Sequence, residues 1–212
     1  MSRSASRAWR QFDPAGHRQA DAAPGSARAA KRQRPAAALK APAPFPRRVL
    51  GLDPGSLRTG FGIIDCTLRA EKHVASGCIR ANGDDFAQRL RQIHEAILEL
   101  IARYRPDEVA VEKVFMHRNA DSALKLGQAR GAAICAAVVG GAALYEYAPR
   151  AIKLAVVGTG AADKAQVSTM VQAMLGISEP STADVSDALA VALCHGQVQR
   201  SALRLVVAGA SR

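Results

Sequence analysis

Four acidic side chains, Asp53, Glu112, Asp184 and Asp187, stand where this 212-residue sequence can do chemistry. Asp53 follows the apolar, β-prone run Val49-Leu50-Gly51-Leu52 and precedes Pro54-Gly55. Such a run reads as a short buried strand, and Pro-Gly stops it in a turn. The carboxylate is thereby set at a sheet edge, beside backbone that a substrate can approach. Glu112 ends a second such run, Val109-Ala110-Val111. Asp184 and Asp187 open the nearly all-apolar segment 183–193, which reads as a helix start and body. Residues three apart share a helix face.

Each acid also has a plainer reading. Asp53 suits turn chemistry, Glu112 suits a solvated strand end, and Asp184 can close a capping box with Ser181. Asp187 fits a plain role least, because it lies just inside the helix beside residues that want burial. A buried carboxylate without a cation is costly or neutralises. Two strand ends and one helix face make an all-oxygen cage suited to Mg²⁺ or Mn²⁺. Two such ions about 4 Å apart can activate a water and stabilise the leaving oxygen of a phosphodiester.

The elements that must position these acids follow in order. Strands are predicted at 49–53, 60–65 and 73–80, then a helix over 85–104 with Phe86, Leu90, Ile93, Ile97, Leu98 and Ile101 at helical spacing. A strand at 108–112, a long helix from about 119 to 139 and a strand at 142–147 come next, followed by helices near 150–156, 164–175 and 182–198. Three strands followed by alternating helices and strands indicate an α/β mixed sheet flanked by helices, in the order of a ribonuclease H-like fold. Gly127 and Gly131 share one face of the long helix. Glycine there costs about 1 kcal/mol relative to alanine, so close approach of another backbone is expected, from the same chain or a second subunit.

The net charge of +11 is unevenly spread. Residues 1–48 carry 11 Lys+Arg against 2 Asp+Glu, and residues 49–212 carry 18 against 16. Total charge is therefore no argument for nucleic-acid binding by the folded part. Residues 1–47 are rich in Ala, Arg and Pro and nearly free of Val, Ile and Leu, so disorder is expected there. Such a segment reads as a basic arm, an organelle transit peptide or an upstream start artefact, and a dispensable segment is favoured. The folded domain is placed at 48–212.

The cysteines, Cys66, Cys78, Cys135 and Cys194, have no zinc spacing and read as reduced core residues of an intracellular protein. Cys194 and His195 are adjacent, so on a helix they diverge by about 100° and do not pair. The 14-residue apolar stretch from Gly131 to Leu144 is too short to span a bilayer, and no signal peptide is read.

These segments together resemble the RuvC family of bacterial Holliday junction resolvases. The matching stretches are LGLDPGSLRTGFGII (50–64), SGCIR (76–80), VEKVFMHRNADSALKLGQARG (111–131), VVGTGAADKAQV (156–167) and ADVSDALAVALCH (183–195). They cover essentially all of Val49 to about Gln199. The resemblance implies a cytoplasmic crossover junction endodeoxyribonuclease of recombination and repair. It would act as a homodimer that binds a four-way DNA junction and cuts two opposing strands symmetrically. Mg²⁺ would serve, with Mn²⁺ as a substitute, at two ions per active site, leaving 5′-phosphate and 3′-hydroxyl ends. A branch-migration motor complex is the implied partner, and no membrane is involved.

By resemblance, Asp53, Glu112, Asp184 and Asp187 are the catalytic, metal-holding acids. Lys153 and Lys164 match lysines that contact DNA phosphates. Phe115 matches a phenylalanine that contacts bases near the junction centre, consistent with stacking on an unpaired base. Two other readings compete. The segment 50–60 also resembles the first phosphate loop of actin- and sugar-kinase-like ATPases, but a second phosphate loop and an adenosine motif are missing. A non-catalytic junction-binding protein would be expected to have lost an acid, and all four are present.

Overall fold

The computed structural model describes residues 45–113, 120–178 and 182–210. Among the described residues ten elements follow one another: β1 (Arg47–Asp53), β2 (Arg58–Cys66), β3 (Glu71–Arg80), α1 (Phe86–Tyr104), β4 (Glu108–Glu112), α2 (Ala120–Val139), β5 (Ala143–Tyr147), α3 (Pro149–Val157), α4 (Lys164–Leu175) and α5 (Ala183–Ala210). The five strands form one sheet in the order β3-β2-β1-β4-β5. β1 pairs antiparallel with β2 and parallel with β4, so the sheet is mixed. Every predicted element is present. The largest difference is at α5, which continues to Ala210 rather than stopping near 198, its last turns being largely exposed.

The two-residue period of the strands sorts side chains onto two faces. Leu50, Leu52, Ile63, Val109 and Val111 pack against α1 and α2, whose Ile93, Ile97, Ile101, Ala129, Ala133, Ala136 and Ala137 close that core. Val49, Ile64 and Ala110 face the other way, against α3, α4 and α5. α1 is started by Asp85, whose side chain accepts from the amide of Ala87, and stopped by Arg105 in the left-handed region at φ 48° just before Pro106. α4 opens with a reciprocal capping box between Asp163 and Gln166.

α5 lies directly on β1 and β2 because glycines face it. A Cβ at Gly51 would overlap the carbonyl oxygen of Ala188, one at Gly60 that of Asp184, and one at Gly62 the Leu189 side chain. Gly127 and Gly131 are different. A Cβ on either would meet nothing within 4 Å, so among the described residues no backbone approaches that face of α2.

The far end of the sheet is held by a buried polar chain. Tyr147 Oη lies 2.6 Å from His195 Nδ1, and His195 Nε2 lies 2.7 Å from Glu108 Oε2. Arg47 Nη1 donates to both Glu108 oxygens at 2.5 Å. Burial opposes ionisation of Glu108, but His195 and Arg47 outweigh it and hold its carboxyl below the usual range. His195 is fully buried in this chain of contacts and does not act with Cys194. All four cysteines are free thiols. Cys66 and Cys194 are core residues as expected, whereas Cys78 is half-buried and Cys135 exposed.

β1 begins at Arg47, and Phe45 packs on the α5-side core, so the fold uses chain before the expected start at 48. Composition assigns Arg47 to the basic run; its buried partner Glu108 makes it part of the core. Residues 1–44 lie outside the described residues.

Candidate active site

Alternation along the strands places Gly51 and Asp53 on the face of the sheet that carries α5, with Ala110 and Glu112 beside them on β4. β1 and β4 are parallel and in register from Val49 opposite Glu108 to Leu52 opposite Val111, so Asp53 and Glu112 end adjacent strands side by side. The turn after Asp53 is fixed by Thr59, whose buried hydroxyl donates to the Gly55 carbonyl at 3.2 Å. The backbone after Glu112 is pinned by the Lys113 amide, which donates to the Tyr147 carbonyl at 2.7 Å. The contact of α5 with Gly60 brings Asp184 and Asp187, one turn apart on the helix, over the same strand ends. The four acids, from three separate stretches of sequence, thus meet at one end of the sheet.

Their electrostatics record the meeting. Asp53 is pushed up to about 7, first by burial and then by the charges of Asp187, Glu112 and Asp184. Glu112 is also raised, by burial and by Asp187. Lys164, near the start of α4, donates from Nζ to Asp187 Oδ2 at 3.0 Å. That bond and the Asp187 charge raise the lysine despite partial burial, with Asp53 and Glu112 adding to the effect. A cleft of about 260 Å³ opens here, lined by Glu112, Lys153, Lys164, Asp187, Ile152 and Val167. Lys153 and Lys164 both lower the Glu112 carboxyl. Six of the seven residues singled out from sequence are therefore neighbours; Phe115 lies outside the described residues.

Hard divalent cations fit the chemistry of this donor set: four carboxylates, two of them raised by burial and then by neighbouring acids whose charge a cation would offset. The side chains are spread rather than closed. Among the described residues, no three Asp, Glu, His or Cys side chains stand together as a ready ligand group.

Sequence reasoning missed two neighbours. Arg58, at the start of β2, has its Nη1 3.9 Å from Asp184 Oδ2. Cys78 on β3 turns its thiol toward the same carboxylate, Sγ to Oδ2 3.9 Å, and is raised by burial and by Asp184. Both lie on the α5-facing side, which strand alternation from Gly60 and Gly62 would have indicated.

The family model described as crossover junction endodeoxyribonuclease RuvC matches residues 49–195, spanning all four acids. The chain belongs to the RuvC family. The crossover junction endodeoxyribonuclease RuvC of Methylococcus capsulatus is 60% identical over 148 residues, 70% of this chain and 89% of its own. The RuvC of Marinobacter nauticus is 53% identical over 161 residues, covering 76% and 92%. Thermus thermophilus RuvC in complex with a Holliday junction substrate superposes with a TM-score of 0.69 at 35% identity, over 73% of this chain and 96% of that one. The yeast mitochondrial Holliday junction resolvase Ydc2 gives 0.57 at 14% identity over 79% and 87%, a likeness of fold alone. The mixed sheet flanked by helices is the ribonuclease H-like fold of RuvC.

Proposed function

We propose that this RuvC-family chain is a crossover junction endodeoxyribonuclease that resolves four-way DNA junctions, with Asp53, Glu112, Asp184 and Asp187 as its catalytic carboxylates. The observation that carries the reading is the Asp53 carboxyl, held up to about 7 by burial and by the other three acids. Four interacting acids, two of them lining one cleft, suit a reaction in which cations and a phosphodiester are gathered together. Asp53, deepest in the group, would be shared between ions; Glu112 and the Asp184–Asp187 pair would hold one each. Nucleases of this family are metal-dependent, and two Mg²⁺ per site, with Mn²⁺ as a substitute, is the assignment the all-oxygen donors favour. Bound divalent ions supply charge stabilisation for a phosphodiester under attack and a means of activating water.

The chain's own residues do the positioning. Lys153 and Lys164 would take the phosphates on the α3–α4 side of the cleft, fixing the strand without reading its sequence. Phe115, three residues after Glu112, would contact bases near the junction centre. Symmetric cutting of a nearly two-fold junction needs two sites, and hence a second copy of the chain. α2 offers a surface for it. Leu124, Gly127, Gln128, Gly131, Cys135 and Val138 follow one another at helical spacing, Leu124 and Val138 being 62% and 58% exposed. Family membership supports a branch-migration motor as a further partner and a cytoplasmic location. Among the described residues no helix is long and apolar enough to cross a membrane. Residues 1–44 are read as dispensable for cleavage.

The test is direct. The chain is incubated with an end-labelled four-way junction and a linear duplex, with Mg²⁺ or with EDTA. Paired nicks in opposing strands of the junction, only with Mg²⁺, support the reading. Binding without cutting under every metal condition would return the chain to a junction-binding protein.

A further inference from the structure

The acid group has basic side chains on a second side. β2 starts, and β3 ends, at the same end of the sheet where β1 and β4 finish. Arg58 and Arg80 are direct cross-strand partners in that register, and side chains directly opposite on paired strands project from the same face. Cys78, two residues before Arg80, is turned toward Asp184, so by alternation Arg80 shares the α5-facing side with Asp53 and Glu112. Across the strand order, Cys78, Gly60, Asp53 and Glu112 form a row on four successive strands, and Arg80 and Arg58 lie two residues further along β3 and β2 on the same face. Lys153 and Lys164 stand beyond Glu112, on α3 and α4.

Two arginines placed directly opposite each other repel, and the arrangement costs stability unless an anion lies between them. Asp184 offsets only part of this. Its contact with Arg58 is long at 3.9 Å, and the Arg58 side chain remains 65% exposed. Arg80 is exposed and has no acidic partner among the described residues. The backbone beneath the pair is nonetheless fixed: the Ala81 amide donates to the Leu57 carbonyl at 3.0 Å, tying the end of β3 to the turn that follows Asp53. An exposed guanidinium pair, only partly neutralised by Asp184, on an anchored backbone is a ready receptor for a phosphate, which arginine grips bidentately.

We propose that Arg58 and Arg80 form a second phosphate-binding subsite, which holds the DNA backbone on the side of the acids opposite Lys153 and Lys164. The cut strand would then be gripped on both sides of the scissile bond, over the acids. This inference rests on the proposed junction-cleaving function.

The test uses the full chain and a labelled four-way junction, with binding measured without divalent cation between 50 and 300 mM salt on the order of five points. Arg58→Ala, Arg80→Ala, the double variant and Arg58→Lys/Arg80→Lys are compared with wild type. Arg91→Ala, on α1 across the sheet, controls for net charge. Thermal melts establish that each variant is folded. Each alanine should weaken binding several-fold and reduce the log–log salt slope by roughly 1, the double variant by nearly 2. The lysine pair should recover the slope, and Arg91→Ala should leave it unchanged. Cleavage in saturating Mg²⁺ should fall in the double variant through KM more than kcat. An unchanged slope in the folded double variant, or an equal loss in Arg91→Ala, overturns the subsite while wild-type cutting leaves the proposed function standing. Failure of the wild type itself to bind junctions overturns both.

Discussion

Lys164 donates to Asp187 at 3.0 Å while its ammonium also interacts with Asp53 and Glu112. One lysine thus provides the positive charge that three of the four acids share. It is a phosphate ligand in the proposed reaction, and an internal counter-ion for the acids before DNA or metal arrives. Lys164→Ala should therefore do more than weaken DNA binding. It should raise the Asp53 carboxyl further, since Lys164 acts to lower it. Cleavage should fall at least tenfold at pH 7 and recover partly at higher pH. The pH–rate profile of the variant checks this; a uniform loss at every pH would confine Lys164 to phosphate contact.

Asp53→Asn should abolish cleavage and leave junction binding largely intact, because the isostere removes charge but little volume. It should also stabilise the metal-free protein. A carboxyl raised from 3.8 to about 7 in the folded state favours folding while protonated, and that contribution is lost as pH rises through this window. At pH 8 the ionised, crowded Asp53 costs up to about 4 kcal/mol. In EDTA the variant should melt above wild type at pH 8 and level with it near pH 4. Equal melting temperatures at pH 8 would contradict the crowding.

Metal binding must displace the proton that Asp53 holds. Apparent Mg²⁺ affinity should therefore rise by up to about tenfold per pH unit below pH 7 and flatten above it. Calorimetric titration at pH 6, 7 and 8 reads the trend. In Asp53→Asn the residual affinity should be low and less sensitive to pH over the same range.

The start of the folded region can be located by truncation. A chain beginning at 45 should match the full length in stability and cleavage. One beginning at 48 loses Arg47 and leaves buried Glu108 with His195 as its remaining partner of the two ion pairs. Breaking a buried pair costs on the order of 3 kcal/mol, so its urea midpoint should fall clearly below that of the 45–212 chain.

Gly127→Leu on α2 separates folding from assembly. A Cβ there meets nothing among the described residues, and replacing helical glycine should stabilise the monomer by roughly 0.5–1 kcal/mol. If that face receives a second copy, the same change should weaken the dimer, shifting its sedimentation toward monomer and cutting resolution while single nicks persist. An unaffected dimer would place the interface elsewhere.

The acids and most of the elements were legible because local signals carried them. Apolar runs ending at Asp53 and Glu112 were visible as strands, and the three-residue spacing of Asp184 and Asp187 fixed a shared helix face. Less legible was whatever depends on pairing across the sheet. Arg58 and Arg80 are 22 positions apart in sequence, and only the β2–β3 register makes them partners. Arg47 looked like one more basic residue of the leading segment, since nothing local announces Glu108. The glycines of α2 signalled a close approach that the described residues do not supply.

The glycines of β1 and β2 have a consequence for how the cleft holds its shape. Between α5 and the strands at Gly51 and Gly60 there is backbone against backbone, with no side chain that changes rotamer and acts as an adjustable spacer. The gap between Asp53 and the two aspartates of α5 is thus set by covalent geometry rather than by packing that can relax. Gly60 carries no chemistry, yet even a single methyl there would lever the helix outward and widen the jaws that carry the acids. A screen scoring only loss of cutting would rank Gly60 beside Asp53, and only a measurement of stability would tell the hinge pin from the blade.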